Sequence, residues 1–195
     1  MRSKSRLPAS PWWPDRQPAW RQRAGLSLWL ERERLIALWM HRAASRVWVM
    51  RMLSAISRVG DGWIWYAVVA VLPWAGGPAG GSTAARMIGV GLVNLLICKI
   101  VKRWIARPRP FRACAGIREC TRSLDEFSFP SGHTLHSVAF SLVLTVYDPM
   151  LAWFVWPFTL LLAASRIVLG LHYPSDVIVG ALIGMSTAAV SFNLL

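Results

Sequence analysis

Three short stretches hold the residues that could do chemistry. In KRWIARPRP, Lys102 and Arg109 stand seven residues apart, and Pro108 and Pro110 interrupt any helix between them. Seven basic residues between 102 and 122 face a single acid, Glu119. That excess suits an anion-binding loop, and it also suits the positive flank of a membrane helix. In FSFPSGHTLH, Phe127 to His136, Pro130 is fitted to the first turn of a helix, where its missing N–H is not needed. Ser131 and Gly132 would then carry N–H groups without intrahelical partners, and Gly132 has no Cβ to keep an anion away. His133 adds a group that moves protons near neutral pH. Taken alone, Pro-Ser-Gly-His is also an ordinary helix start. In SRIVLGLHYPSD, Arg166 places a charge at the end of an apolar helix, which is costly unless it has work to do. If Pro174 opens the next helix, Asp176 is its third residue. A carboxylate there can reach back across the first turn and accept a hydrogen bond from His172, fixing its tautomer.

The elements that must bring these stretches together are apolar helices. The chain has 195 residues, is 55% hydrophobic and only 16% charged, and contains 12 Trp. A soluble domain is nearer a quarter charged. The apolar runs identify an integral membrane protein, an all-α polytopic helix bundle. Five spans are expected: Gly62–Ala75, Ala84–Val101, His133–Tyr147, Met150–Leu169 and Asp176–Leu195. Residues 59–195 form the membrane-embedded domain. Residues 1–58 are expected to be a basic N-terminal region with amphipathic helices in the membrane interface, Trp29, Leu30, Leu35, Trp39 and Trp48 dipping inward. The competing reading is a helix packed on the rest of the protein. The first 25 residues hold four Pro and no central apolar stretch, unlike a cleavable signal peptide. The net charge of +13 lies beside apolar spans, so lipid head groups are the expected partners and nucleic acid is not. Cys98 reads as a packing residue. Cys114 and Cys120 leave two readings open, a disulfide or two free thiols.

Counting crossings, the chain leaves the membrane at Lys102, re-enters at His133 and leaves again at Arg166. The three stretches therefore share one face. Lys102, Arg109 and Arg166, backbone N–H groups and two histidines together make a site for a phosphate.

Lys-x6-Arg-Pro (Lys102, Arg109, Pro110), Pro-Ser-Gly-His (Pro130 to His133) and Ser-Arg-x5-His-x3-Asp (Ser165, Arg166, His172, Asp176) resemble the three signatures of the type 2 phosphatidic acid phosphatase family. This is the lipid-phosphatase branch that shares its site with vanadium haloperoxidases. The likeness covers roughly residues 60–195, and no motif residue departs from it. The family's usual six spans compare with five expected here. The resemblance implies that His172 is a nucleophile forming a phosphohistidine, with Asp176 orienting it. It implies that His133 protonates the leaving lipid oxygen and then activates water. It also implies that Lys102, Arg109, Ser131, Gly132 and Arg166 hold the phosphoryl oxygens. His136, one turn past His133, lies outside the motif and is read as packing.

No cofactor or metal is expected, since Asp125, Glu126 and Asp176 are too few acids for a two-metal site. A cysteine phosphatase would need Arg six residues after its Cys, and Cys120 stands there after Cys114. The expected substrate is a lipid with a terminal phosphate, of the undecaprenyl diphosphate, phosphatidylglycerophosphate or phosphatidic acid class. The alternatives are a lipid A phosphatase or phosphotransferase with the same site, and a non-enzymatic lipid-binding protein. The distribution of Lys and Arg favours a site on the cytoplasmic face of the cell membrane. Against this, the family resemblance includes bacterial relatives that act at the outer face.

Overall fold

The computed structural model describes residues 24–123 and 125–194. The chain divides into two compact units, residues 1–32 and 33–195, and the helix bundle lies in the second. Eight α-helices follow one another: α1 (Ala24–His41), α2 (Val47–Val59), α3 (Trp63–Ala75), α4 (Gly80–Ile105), α5 (Pro110–Ala113), α6 (Gly132–Tyr147), α7 (Ala152–Val168) and α8 (Pro174–Leu194). The described residues contain no β-strand.

The architecture is the expected all-α membrane bundle, but the count of spans differs. Three helical stretches are long and apolar enough to cross a bilayer: Gly77–Ile105, Pro149–Val168 and Pro174–Leu194. A fourth arises if α2 and α3, bent by 44° at their junction, count as one broken span. Thus the segment read as a span from Gly62 to Ala75 is the second half of a bent pair. The segment starting at His133 is a helix of 16 residues, short for a bilayer. Its wall is nearly all protein: Leu135, Val138, Ala139, Phe140, Val143 and Leu144 are buried.

That short helix is the axis of the bundle. Trp65 and Leu72 of α3, Met87 and Val90 of α4 and Ala188 of α8 surround Ala139, Phe140, Val143 and Leu144 in one core. α8 comes closest, and two glycines allow it. A Cβ on Gly184 would lie 2.3 Å from the Leu135 carbonyl oxygen, and one on Gly180 would lie 2.7 Å from that of Ser131. Small residues at helix crossings are how membrane helices gain packing energy where lipid offers no hydrophobic drive. The outward faces carry Leu92, Leu96, Trp104, Trp153, Phe154 and Leu182, all exposed, as a lipid-facing surface requires.

The segment from Glu33 to Val59 is part of the same unit. Ala37 is buried beside Cys114, Ile117, Ile167 and Tyr173. His41 uses Nδ1 to reach the Val168 carbonyl at 2.8 Å. Leu35, Trp39 and Trp48 point away from this packing and are exposed.

Candidate active site

Four helix ends meet at one end of the bundle. α4 stops at Ile105, where Ala106 takes a left-handed conformation (φ 45°) that turns the chain out. α6 begins at Gly132, α7 ends at Val168, and α8 begins at Pro174. The expected shared face is therefore present.

One helix start differs from its reading. Pro130 lies outside α6, after a cis peptide bond, and Ser131 is the N-cap. The Ser131 N–H is also not free. It donates to the Asp176 carbonyl at 2.9 Å, which ties the start of α6 to the start of α8. Its hydroxyl pairs with that of Thr134 at 3.0 Å, and the residue is fully buried. Gly132 does reach the site, and a Cβ there would meet the Cys98 sulfur at 3.3 Å. By contrast, Pro174 is the first residue of α8, as expected. Asp176 reaches back across the turn, its Oδ2 accepting the Tyr173 N–H at 2.8 Å.

A cavity of about 410 Å³ opens at this end. Lys102, Arg109, Gly132, His133, Arg166 and His172 all line it. Of the eight residues singled out from sequence, these six share the wall. Asp176 stands behind His172, and Ser131 stands behind Gly132.

The cations are held ready. Arg109 is 1% exposed, a burial that only a well-partnered guanidinium tolerates. Its Nη1 donates to the Leu171 carbonyl at 2.8 Å and lies 3.3 Å from Nε2 of His172. A guanidinium can only donate, so Nε2 of His172 is the unprotonated nitrogen and Nδ1 carries the hydrogen. Nδ1 has no hydrogen-bond partner and lies 3.6 Å from Asp176 Oδ2, too long for a hydrogen bond but within ion-pair range. Burial, and then the charges of Arg166, Arg109 and Lys102, push the His172 pKa well below the ordinary imidazole value. The ring is thus neutral, and Nε2, which faces Arg109 Nη1 at the cavity wall, is its unprotonated nitrogen. Arg166 is 2% exposed, donates to the Ser57 hydroxyl and keeps an unpartnered buried Nε.

Four further polar residues belong to this region and escaped the sequence reading. Asp61, in the loop between α2 and α3, lies 2.5 Å from Nε2 of His133. Its sequence signal is a lone acid between two glycines just ahead of an apolar run. Asp125 accepts from Lys102 Nζ at 2.8 Å and from Arg109 Nη2. Burial works against its charge, yet Lys102 and Arg109 prevail and hold the carboxyl below the usual range. Arg107 bridges Asp176 at 2.7 Å and Glu33 at 2.6 Å. In the sequence, Glu33 is one member of an ERER run, Glu31 to Arg34. Its signal was its stripe, for Glu33, Ala37 and His41 recur every four residues and all are buried.

Cys114 and Cys120 are free thiols, Cys114 packing its sulfur 3.3 Å from the Tyr173 hydroxyl. His136 bonds the Gly132 carbonyl at 2.9 Å and stacks edge-on against Phe140. It also lines the cavity beyond His133.

Residues 83–195 match the sequence profile of the PAP2 superfamily. The chain belongs to that superfamily. The match contains all three motif stretches and leaves out α1, α2 and α3. A decaprenylphosphoryl-5-phosphoribose phosphatase of Mycobacterium tuberculosis is 35% identical over 96 residues, which is 48% of this chain and 51% of that protein. An undecaprenyl-diphosphatase of Sulfolobus acidocaldarius is 29% identical over 149 residues, 73% of this chain and 69% of that protein. The match to the mycobacterial protein thus spans about half of its length. The crystal structure of Aquifex aeolicus LpxE superposes with a TM-score of 0.70 at 21% identity, covering 84% of this chain and 94% of that one. That likeness establishes the shared fold.

Proposed function

We propose that this PAP2 protein is a lipid phosphatase that removes a terminal phosphate through a phosphohistidine at His172. One observation carries the reading. The cavity is cationic at one end, with Lys102, Arg109 and Arg166, and apolar along α3 and α4, with Trp65, Val69, Met87, Ile88, Leu92 and Leu95. A phosphate head joined to a long hydrocarbon chain has that polarity.

The steps follow from the groups present. Nε2 of His172 attacks phosphorus in line with the lipid oxygen. The P–O bond breaks, its electron pair leaves with that oxygen, and His133 supplies the proton. With a diphosphate substrate, the leaving oxygen belongs to the lipid monophosphate. Lys102, Arg109, Arg166 and the Gly132 N–H meet the charge on the three remaining oxygens. Nδ1–H of His172 becomes part of a cation facing Asp176. Water then attacks phosphorus, His133 takes its proton, and the P–N bond breaks to return its electron pair to Nε2. Inorganic phosphate leaves. The nearest candidate substrates are polyprenyl diphosphates and polyprenylphosphoryl sugar phosphates, because the relatives above are named for an undecaprenyl diphosphate and a decaprenylphosphoryl-5-phosphoribose. We further infer that the site faces the cytoplasm.

The test is phosphate release by purified protein in detergent from undecaprenyl diphosphate, phosphatidylglycerophosphate, phosphatidic acid and lipid A. Release from at least one, lost in His172→Ala and indifferent to EDTA, is the expected result. No release from any of the four would favour a lipid-binding role.

A further inference from the structure

We propose that Glu33 of α1 is a positioning residue for His172, acting through Arg107 and Asp176. The inference rests on reading His172 as the nucleophile. Glu33 lies fifty residues before the part of the chain that matches the superfamily, yet it is 4% exposed and committed to the site. Its Oε2 lies 2.6 Å from Arg107 Nη2. Its Oε1 accepts the Ser175 N–H at 2.8 Å and also the Ser175 hydroxyl. The other arm of the guanidinium, Nη1, reaches both the Ser175 hydroxyl and Asp176 Oδ1 at 2.7 Å. The plane of Arg107 sits over the Tyr173 ring, 3.9 Å from its centroid. One buried acid thus grips the first turn of α8 and one side of the fork that holds Asp176.

The charges explain why a second acid is useful there. The cations Arg166, Arg109 and Lys102, together with His133, surround His172 and disfavour positive charge on its ring. Nucleophilic attack creates such a charge. Asp176 is the carboxylate placed to answer it, and Arg107 draws on that same carboxylate. Were Arg107 paired with Asp176 alone, its full charge would neutralise the group His172 needs. Glu33 takes a share of the guanidinium charge and fixes its plane. The Oδ2 edge of Asp176 then remains turned to His172, at 3.6 Å. Burying Glu33 is costly without such partners, so its position there is tied to this network.

The experiment uses the full chain. Glu33→Gln keeps the size and removes the charge. Its kcat, its KM for the lipid phosphate and its rate of forming an acid-labile, alkali-stable phosphoenzyme are measured beside wild type and His172→Ala, with thermal unfolding as the control for fold. We expect kcat and the phosphoenzyme rate to fall together by about ten- to a hundredfold at unchanged KM, as for a catalytic group displaced by a fraction of an ångström. Wild-type kcat per folded molecule would overturn the inference. If Glu33→Gln does not fold, Arg107→Lys replaces it, because an ammonium cannot bridge both carboxylates. Reduced kcat at unchanged KM then supports the inference, and wild-type kcat overturns it. An active His172→Ala protein, or an inactive wild type, would instead strike down the nucleophile assignment and this inference with it.

Discussion

His172 and Arg109 stand closest to the chemistry. His172→Ala removes the nucleophile and should abolish phosphate release, measured by a colorimetric assay in detergent. Arg109→Lys keeps a charge but loses the fork that spans Leu171, His172 and the loop carrying Asp125. A transition-state contact of this kind is worth ~3 kcal/mol, so kcat should fall roughly a hundredfold. His136→Ala should keep most of the activity, since the ring's contacts are to carbonyls of Gly132 and Gly91. A loss equal to that of His133→Ala would show the two roles reversed. Asp125 makes a different prediction. Its carboxylate occupies two of the cations a phosphate needs, and they hold its pKa below the ordinary value. A depressed carboxylate stabilises the fold above its unfolded pKa of about 4, and loses that contribution only as pH falls through the lower folded value. At neutral pH the tether is therefore intact, and the substrate must displace it. Asp125→Asn should lower KM, read from phosphate release against lipid concentration, and a raised KM would show that Asp125 helps binding. The motif residues were legible because unusual types recur at fixed spacings. Glu33, Asp61, Arg107 and Asp125 were not, because each looks like an ordinary surface charge until the fold surrounds it.

At the level of elements, the sequence is clearest where local chemistry alone decides. Pro174 opens α8, and Asp176 caps it across one turn. Pro130 looked equivalent but stands outside α6: Ser131 is extended (ψ 105°) as the N-cap, and its N–H is tied to the Asp176 carbonyl of another element. That bond is long-range and leaves no local trace. The same holds for the burial of α6, a helix of 16 residues whose wall is nearly all protein contributed by distant elements. The α6–α8 contact sets the distance between His133 on one helix and Asp176 on the other. Gly184→Ala tests it, since the added methyl group would sit 2.3 Å from the Leu135 carbonyl oxygen. Backbone cannot yield as a flexible side chain does, so a loss of about 1–3 kcal/mol is expected from overpacking. Thermal unfolding in detergent should show a lower midpoint, and kcat should fall with it. An unchanged midpoint would mean that α8 can shift without cost.

For the whole molecule, the distribution of charge bears on which face holds the site. Gly60, Asp61 and Gly62 line the cavity, so α3 starts at the site end and the α2–α3 junction lies there too. The turns at Gly77–Ala79 and Pro149–Leu151 lie at the far end, where the Tyr147 hydroxyl joins them by donating to the Gly76 carbonyl. Among the described residues of the second unit, Arg86 is the one Lys or Arg that begins on that far side. Its guanidinium is engaged, donating to the Ser191 carbonyl and lying 5.1 Å from the Phe192 ring centroid. Retention of positive charge in the cytoplasm is the argument for the cytoplasmic site we propose. The weight of this signal depends on what the charges are for. Lys102, Arg107, Arg109 and Arg166 are explained by the site and carry no topological vote. The twelve Lys and Arg before Gly62 remain, and they are the independent signal. The deciding measurement replaces Cys98, Cys114 and Cys120 and introduces one cysteine, either at Ala79 on the far side or at Arg122 beside the site. A membrane-impermeant thiol reagent is then applied to intact spheroplasts. Labelling at position 79 and protection at 122 until the membrane is opened is the expected outcome. The reverse pattern would place the phosphate cradle outside the cell and show that the N-terminal charges serve the lipid surface without setting the orientation.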